Sequence, residues 1–177
     1  MSKLANRPVL YSSDIAVEVK DGVLYVSKNS KVEKVALNNI SVEVNNVEHS
    51  CSFSLGEKNA KKENLGTVVS LFRAAVKNLN EPYSLNITTN GVGFKAMIVN
   101  NDILLMWLGR SHLYAIKFPK EVNVSAKDNK ISLSGSKVHV TALAAIIKTN
   151  RKWDPCMQKG VVIEEEFLIK KEGKKKK

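Results

Sequence analysis

SLNITTNGVGFKAMIVNNDILLMWLGRSHLYAIKFP, running from Ser84 to Pro119, is the stretch on which the fold turns. It divides into three consecutive strands. Ser84–Val99 carries β-branched and aromatic residues, Asn100-Asn101 turns it, and Ile103–Leu108 is an unbroken apolar run. Gly109-Arg110-Ser111-His112 turns again into Leu113–Phe118, and Pro119 closes the block. Asn, Gly and Asp tolerate the turn angles that strand residues resist. The apolar run is bounded by turn signals and is too short to span a bilayer. This predicts a buried central strand, with Trp107 in the core.

Two places in the block carry candidate chemistry. Gly91-Val92-Gly93 sets two residues without Cβ around a valine, inside strand-like sequence. Glycine there marks either a bulge that serves packing or a point where another backbone comes close. Arg110-Ser111-His112 puts a cation, a hydroxyl and an imidazole on one turn, a set suited to phosphate and ribose contact. The alternative is a solvated polar turn.

The first half reads as an antiparallel meander. Ile15–Val19 alternates, Asp21-Gly22 turns, and Val23–Val26 returns. Val32–Leu37, Ile40–Val44 and Ser50–Leu55 alternate in the same way, with Asn45-Asn46 turning the last two. A polar segment, Gly56–Asn64, precedes a helix with Val68, Phe72, Ala75, Val76 and Leu79 on one face. Thr67 is the expected N-cap, and Pro82 ends the helix.

The second half repeats this plan. Lys20–Leu24 resembles Asn100–Leu104, and Val42 and Val44 align with Val122 and Val124 at a spacing of 80. A strand at Lys130–Ser134 leads to a helix capped by Ser136, with Val140, Leu143, Ala144 and Ile147 on its inner face. The predicted fold class is α+β: two tandem duplicated modules, each an antiparallel sheet with one covering helix, plus a basic tail. The expected divisions are residues 1–82, 83–150 and 151–177.

Charge narrows the partner. Among 177 residues, 28 Lys and Arg against 17 Asp and Glu give a formal charge of +11, which points to a polyanion, nucleic acid before acidic membrane. Only Arg7, Arg73, Arg110 and Arg151 are arginine, so point-charge contact with phosphate is favoured over forked reading of base edges. No helix has the basic amphipathic face that a membrane surface requires. The N-terminal stretch has neither a secretory core nor the form of a presequence. Abundant Lys, Asn and Ile suggest an AT-rich gene, bacterial or organellar.

The sequence offers little for catalysis. Cys51 and Cys156 lie far apart, and neither belongs to a CxxC, which predicts buried or inert thiols. His49, His112 and His139 have no metal-ligand spacing, and there is no P-loop or GxSxG. His139 is expected on a solvated or structural face, and Glu164–Glu166 in salt links with lysines. No cofactor, metal or enzymatic activity is expected. An RNA-acting enzyme using Cys156 or a histidine has little support in the sequence, and a membrane-surface role has less.

After Thr149 come RKWDPCMQKGV (Arg151–Val161), the acids Glu164–Glu166, and Lys170-Lys171-Glu172-Gly173 followed by Lys174–Lys177. The lysine run lacks apolar periodicity and reads as an arm that orders on phosphate, or as a solubilising tail. Trp153 stands among charges, where it either stacks on RNA or packs on the helix end.

GVGF ahead of LGRSH, the capped helix containing Ala144-Ala145, and RKWDPCMQKGV before KKEGKKKK together resemble the family of the sixth protein of the large ribosomal subunit, in its bacterial and organellar form. The resemblance covers nearly the whole chain and is strongest from Ser84 onward. It implies two similar α+β domains without catalytic activity, near the base of the factor-binding stalk. It also implies that the C-terminal half docks on large-subunit rRNA close to the sarcin–ricin region. The partners it implies are this rRNA, neighbouring large-subunit proteins and nearby translational GTPases, with no membrane. By match, the rRNA-facing residues are Gly91, Gly93, Lys95, Arg110, Ser111, His112, Arg151, Lys152, Lys159 and Gly160. The tail adds Lys170, Lys171, Lys174, Lys175, Lys176 and Lys177. Trp153, Cys156 and Gln158 replace a proline, tyrosine and glycine usual in the family. These departures and the KEGKK ending lean towards a mitochondrial ribosome over a bacterial one. The alternative is a basic RNA-binding or RNA-chaperone module outside the ribosome.

Overall fold

A computed structural model describes residues 7–29, 31–45, 47–56, 62–164 and 166–172. The chain separates into two compact units, residues 1–82 and 83–177. Each is α+β, with antiparallel strands and one long helix.

The first unit holds β1 (Val9–Leu10), β2 (Ala16–Lys20), β3 (Val23–Lys28), β4 (Lys31–Ala36), β5 (Ile40–Asn45), β6 (Ser50–Leu55) and α1 (Lys62–Asn80). Its strands divide between two three-stranded sheets, β2-β3-β4 and β1-β6-β5. Asp21 and Gly22 make the β2–β3 turn with φ of 50° and 72°, angles that a β-branched residue would resist. The apolar face of α1 supplies Val68, Val69, Phe72, Ala75, Val76 and Leu79 to a core with Leu24, Val26, Cys51 and Phe53. Phe72 is fully buried, and its ring lies 5.4 Å from that of Phe53. Thr67 is not the N-cap: α1 begins upstream of it, and its hydroxyl donates back to the Glu63 carbonyl at 3.3 Å. The polar Lys62-Glu63-Asn64 joins the first turn because charged and amide side chains are no bar to helix, and Leu65 opens the buried face there.

The second unit holds β7 (Tyr83–Asn90), β8 (Lys95–Val99), β9 (Ile103–Trp107), β10 (Tyr114–Lys117), β11 (Val122–Lys127), β12 (Lys130–Gly135), α2 (Lys137–Asn150) and β13 (Gly160–Ile163). Its sheets are β10-β9-β8 and β11-β12-β7-β13. Ser136 occupies the N-cap position of α2, its carbonyl accepting the Val140 amide at 2.9 Å. Val140, Leu143, Ala144 and Ile147 are buried, as the helical spacing requires.

The duplication is visible in the strand orders. Sheet β2-β3-β4 corresponds to β8-β9-β10, and β1-β6-β5 to β7-β12-β11. β5 and β11 share one sequence of buried, half-buried and exposed positions, beginning at Ile40 and Val122. That sets the offset at 82 residues there, although Leu24 and Leu104 are 80 apart. The expected pairing of Val42 with Val122 therefore slips by one inward-facing position. It stays on the correct face because strand side chains repeat every two residues.

Three expectations change, two of them in the central block. Ser84–Val99 is two strands in different sheets, and Gly91-Val92-Gly93 is the corner between them, not a bulge within one. β9 is the middle strand of its sheet but is buried on one face only. Leu104 and Met106 are fully buried, while Trp107 is 37% exposed, outside the core. An unbroken apolar run hides this alternation. The third change is β13, a strand in a segment read as loop and tail, where Val161 is buried in the second unit's core and Val162 is buried as well.

Candidate nucleic-acid interface

Strand register gathers the expected residues at one end of the second unit. β13 enters beside β7 with Gly160 opposite Asn90, so the post-helix loop starts its strand next to the Gly91 corner. Lys95 opens β8 opposite Trp107, the last residue of β9. The turn carrying Arg110, Ser111 and His112 leaves β9 at that point and returns as Tyr114 opposite Met106. Lys95, Arg110, Ser111, His112 and Lys152 are exposed, and Arg151 and Lys159 are half-buried.

The glycines there have reasons internal to the fold. A Cβ on Gly91 would stand 2.7 Å from the Phe94 ring, and one on Gly109 would stand 2.8 Å from the same ring. Phe94 is buried, so the two turns close over a shared aromatic plug. Gly93 has φ +76° and open space around it, so its backbone angle alone favours glycine. Gly160 has φ +144°, and a Cβ would meet Lys152 O and Trp153 Cα at 2.7 Å. Gly160 itself is buried.

The post-helix loop is built from its own polar groups. The Asp154 carboxylate accepts the amides of Cys156 at 2.9 Å and Met157 at 3.3 Å, a side-chain-closed turn. The Asp154 amide donates to Lys159 O at 2.9 Å, and Val161 N donates to Arg151 O at 3.0 Å. Gln158 sits at φ +56°, an angle that glycine would adopt with less strain. Trp153 Nε1 donates to Ile169 O at 3.2 Å, and Lys171 N donates to Pro155 O at 3.1 Å. The segment carrying Lys170 and Lys171 thus runs back over the loop, with both lysines exposed. The Trp153 indole is thus tied to the Ile169 segment. Lys174, Lys175, Lys176 and Lys177 lie outside the described residues.

Sequence reasoning missed Tyr114. Its ring lies 4.8 Å from that of His112, and the Arg110 guanidinium is 5.9 Å from its centre. An aromatic two residues beyond the histidine was the available signal.

His139 Nδ1 is 3.0 Å from Glu121 Oε2, and Glu166 pairs with Lys148. Both cysteines are free. Cys51 is fully buried, and burial pushes its thiol up to about 11. Of the buried or inert thiols expected, Cys51 is the buried one, while Cys156 is exposed on the Asp154 turn. Among the described residues no three His, Cys, Asp or Glu side chains converge as a metal site. No helix among them is long and apolar enough to cross a membrane.

Known proteins match this chain end to end. Large ribosomal subunit protein uL6 of Campylobacter hominis is 35% identical over 178 residues, covering 98% of each chain. The proteins of that name from Nautilia profundicola and Nitratiruptor sp. are 32% and 29% identical, again over 98% of both chains. No family model matches the chain. With its duplicated two-sheet units and this likeness over its full length, the chain belongs to the family of large ribosomal subunit protein uL6.

Proposed function

We propose that this chain is a non-catalytic structural protein of the large ribosomal subunit that grips large-subunit rRNA with one end of its second unit. The observation that carries this is the convergence of Lys95, Arg110–His112 and the Arg151–Gly160 loop at the end of the second unit where Gly160 lies opposite Asn90. Separate sequence segments place five exposed or half-buried cations there, Lys95, Arg110, Arg151, Lys152 and Lys159, with Lys170 and Lys171 laid over the loop. Each cation that meets a phosphate releases counterions, so binding should be strong at low salt and weaken steeply as salt rises. The base edges of an RNA helix are hidden in a deep groove, so shape and ribose contact carry the remainder.

The finer placement follows from the resemblance: rRNA near the sarcin–ricin region, at the base of the factor-binding stalk and beside the translational GTPases. Neighbouring large-subunit proteins complete the partners. The departures at Trp153, Cys156 and Gln158 and the KEGKK ending support a mitochondrial ribosome. Subcellular fractionation with antibody detection tests that location, and recovery outside mitochondria rejects it.

Arg110→Ala combined with Lys159→Ala should weaken binding to large-subunit rRNA and lower the log–log salt slope by up to about 0.9 per lost contact. A filter-binding titration with unchanged affinity and slope rejects this surface. Sedimentation of ribosomes after a high-salt wash separates the ribosomal reading from a free-standing RNA-binding module. The protein must remain in the large-subunit peak.

A further inference from the structure

Arg110, His112 and Tyr114 bring three flat groups into one cluster. The His112 and Tyr114 ring centres are 4.8 Å apart with planes tilted by 59°, and the Arg110 guanidinium lies 5.9 Å from the Tyr114 centre. Tyr114 begins β10 opposite Met106 and packs against the core of the second unit, so its ring is a fixed support. Arg110 and His112 are both exposed.

Phosphate contact alone does not need this arrangement. A lysine on a mobile stem neutralises phosphate without a planar neighbour, and most cations of this chain are lysines. Holding an imidazole and a guanidinium against a half-buried ring restricts their rotamers before any ligand arrives. That lowers the ordering cost when a flat ligand settles on them. Unpaired RNA bases stack on aromatic rings and arginine planes, whereas a continuous A-form helix offers no free base face.

We propose that the Arg110–Tyr114–His112 cluster stacks an unpaired base of large-subunit rRNA, so that this turn selects a loop or bulge over continuous duplex. The proposal rests on the rRNA-binding reading above. It assigns Tyr114 as the positioning residue and His112 and Arg110 as the surfaces that meet the base.

The test uses the full-length protein and two RNAs with equal numbers of phosphates: a hairpin with a purine loop containing 2-aminopurine, and a blunt duplex. A third probe is deproteinised large-subunit rRNA. Wild type should prefer the hairpin by about tenfold and change the 2-aminopurine emission, as stacking on one side chain allows. His112→Ala and Tyr114→Val should each remove most of that preference and leave the salt slope unchanged. Arg110→Ala should lower preference and slope together. Tyr114→Phe keeps the ring and should keep the preference, with thermal melting showing that every variant is folded. Equal wild-type affinity for hairpin and duplex, or a preference that survives both His112→Ala and Tyr114→Val, overturns the stacking platform alone. Failure of wild type to bind large-subunit rRNA overturns the broader reading, and the platform falls with it.

Discussion

Gly160→Ala separates a glycine needed by the fold from one needed by the ligand. A methyl at residue 160 would lie 2.7 Å from Lys152 O and Trp153 Cα and 2.9 Å from Lys152 C. All three are backbone atoms, so no side-chain rotation relieves the clash. The φ of +144° adds strain of about 1–3 kcal/mol for a residue with a Cβ. The ceiling is set by β13 leaving the sheet. Val161 is fully buried and Val162 nearly so, and exposing them costs about 1.5–3 kcal/mol each. The expected loss is therefore about 2–4 kcal/mol, between strain alone and full release of the strand. Trp107 and Trp153, the only tryptophans, both belong to the second unit, so urea unfolding followed by intrinsic fluorescence reports on that unit. Thermal melting should fall by about 4–8 °C per kcal/mol for a unit of this size. A midpoint within about 0.5 kcal/mol of wild type would refute the steric reasoning, since that is the range of an ordinary surface substitution. Undiminished stability with lost rRNA affinity would assign Gly160 to direct backbone approach instead.

Gly66→Ala should do the opposite, stabilising the first unit by about 1 kcal/mol, because Gly66 lies within α1 and a Cβ there meets nothing within 4 Å. Loss of helical signal at lower urea than wild type would contradict this. Phe72→Ala should cost about 3–5 kcal/mol, since its ring is fully buried against Phe53 and Tyr11. Calorimetry showing the first unit's transition unmoved would reject its central place in that core. In the native protein Cys156 should react readily with iodoacetamide and Cys51 only on unfolding, as peptide mapping of the labelled sites would show. Cys51 also carries a pH dependence. Its folded value of about 11 stands above the ordinary 9.0, so its contribution is full below about pH 9 and is lost as pH rises through 11. Cys51→Val should flatten that alkaline decline, leaving the smaller part from Tyr11, whose hydroxyl burial shifts the same way.

Periodicity made the framework legible because one-sided burial leaves a mark in the sequence. The inner face of α2 was readable residue by residue, and so were the turns at Asp21-Gly22 and Asn100-Asn101. What stayed hidden depends on contacts distant in sequence. Ile103–Leu108 is apolar throughout, so nothing in it says that Trp107 faces outward. β13 follows a loop rich in turn residues, and only pairing with β7 makes it a strand. The candidate interface was legible as a set of residue types. Its glycines were not legible as packing devices, because Phe94 reaches Gly91 and Gly109 only when the two turns meet.

The comparison between units shows where the candidate interface came from. Both units use the same two sheets and one helix, yet the connections differ at one end. β3 and β4 are joined through residues 29 and 30 alone, whereas β9 and β10 are joined through Leu108–Leu113, which carries Arg110, Ser111 and His112. α1 passes through Glu81 and Pro82 into the next unit, whereas α2 continues into the Asp154 turn and then β13. β13 extends the sheet on the free side of β7, a side on which β1 has no partner among the described residues. The additions to the second copy thus fall at the end where the cations gather, on strand ends that the duplicated core already holds rigid. Loops on a fixed frame can acquire a ligand without rebuilding the core, and the inner faces of the two copies have accordingly stayed alike.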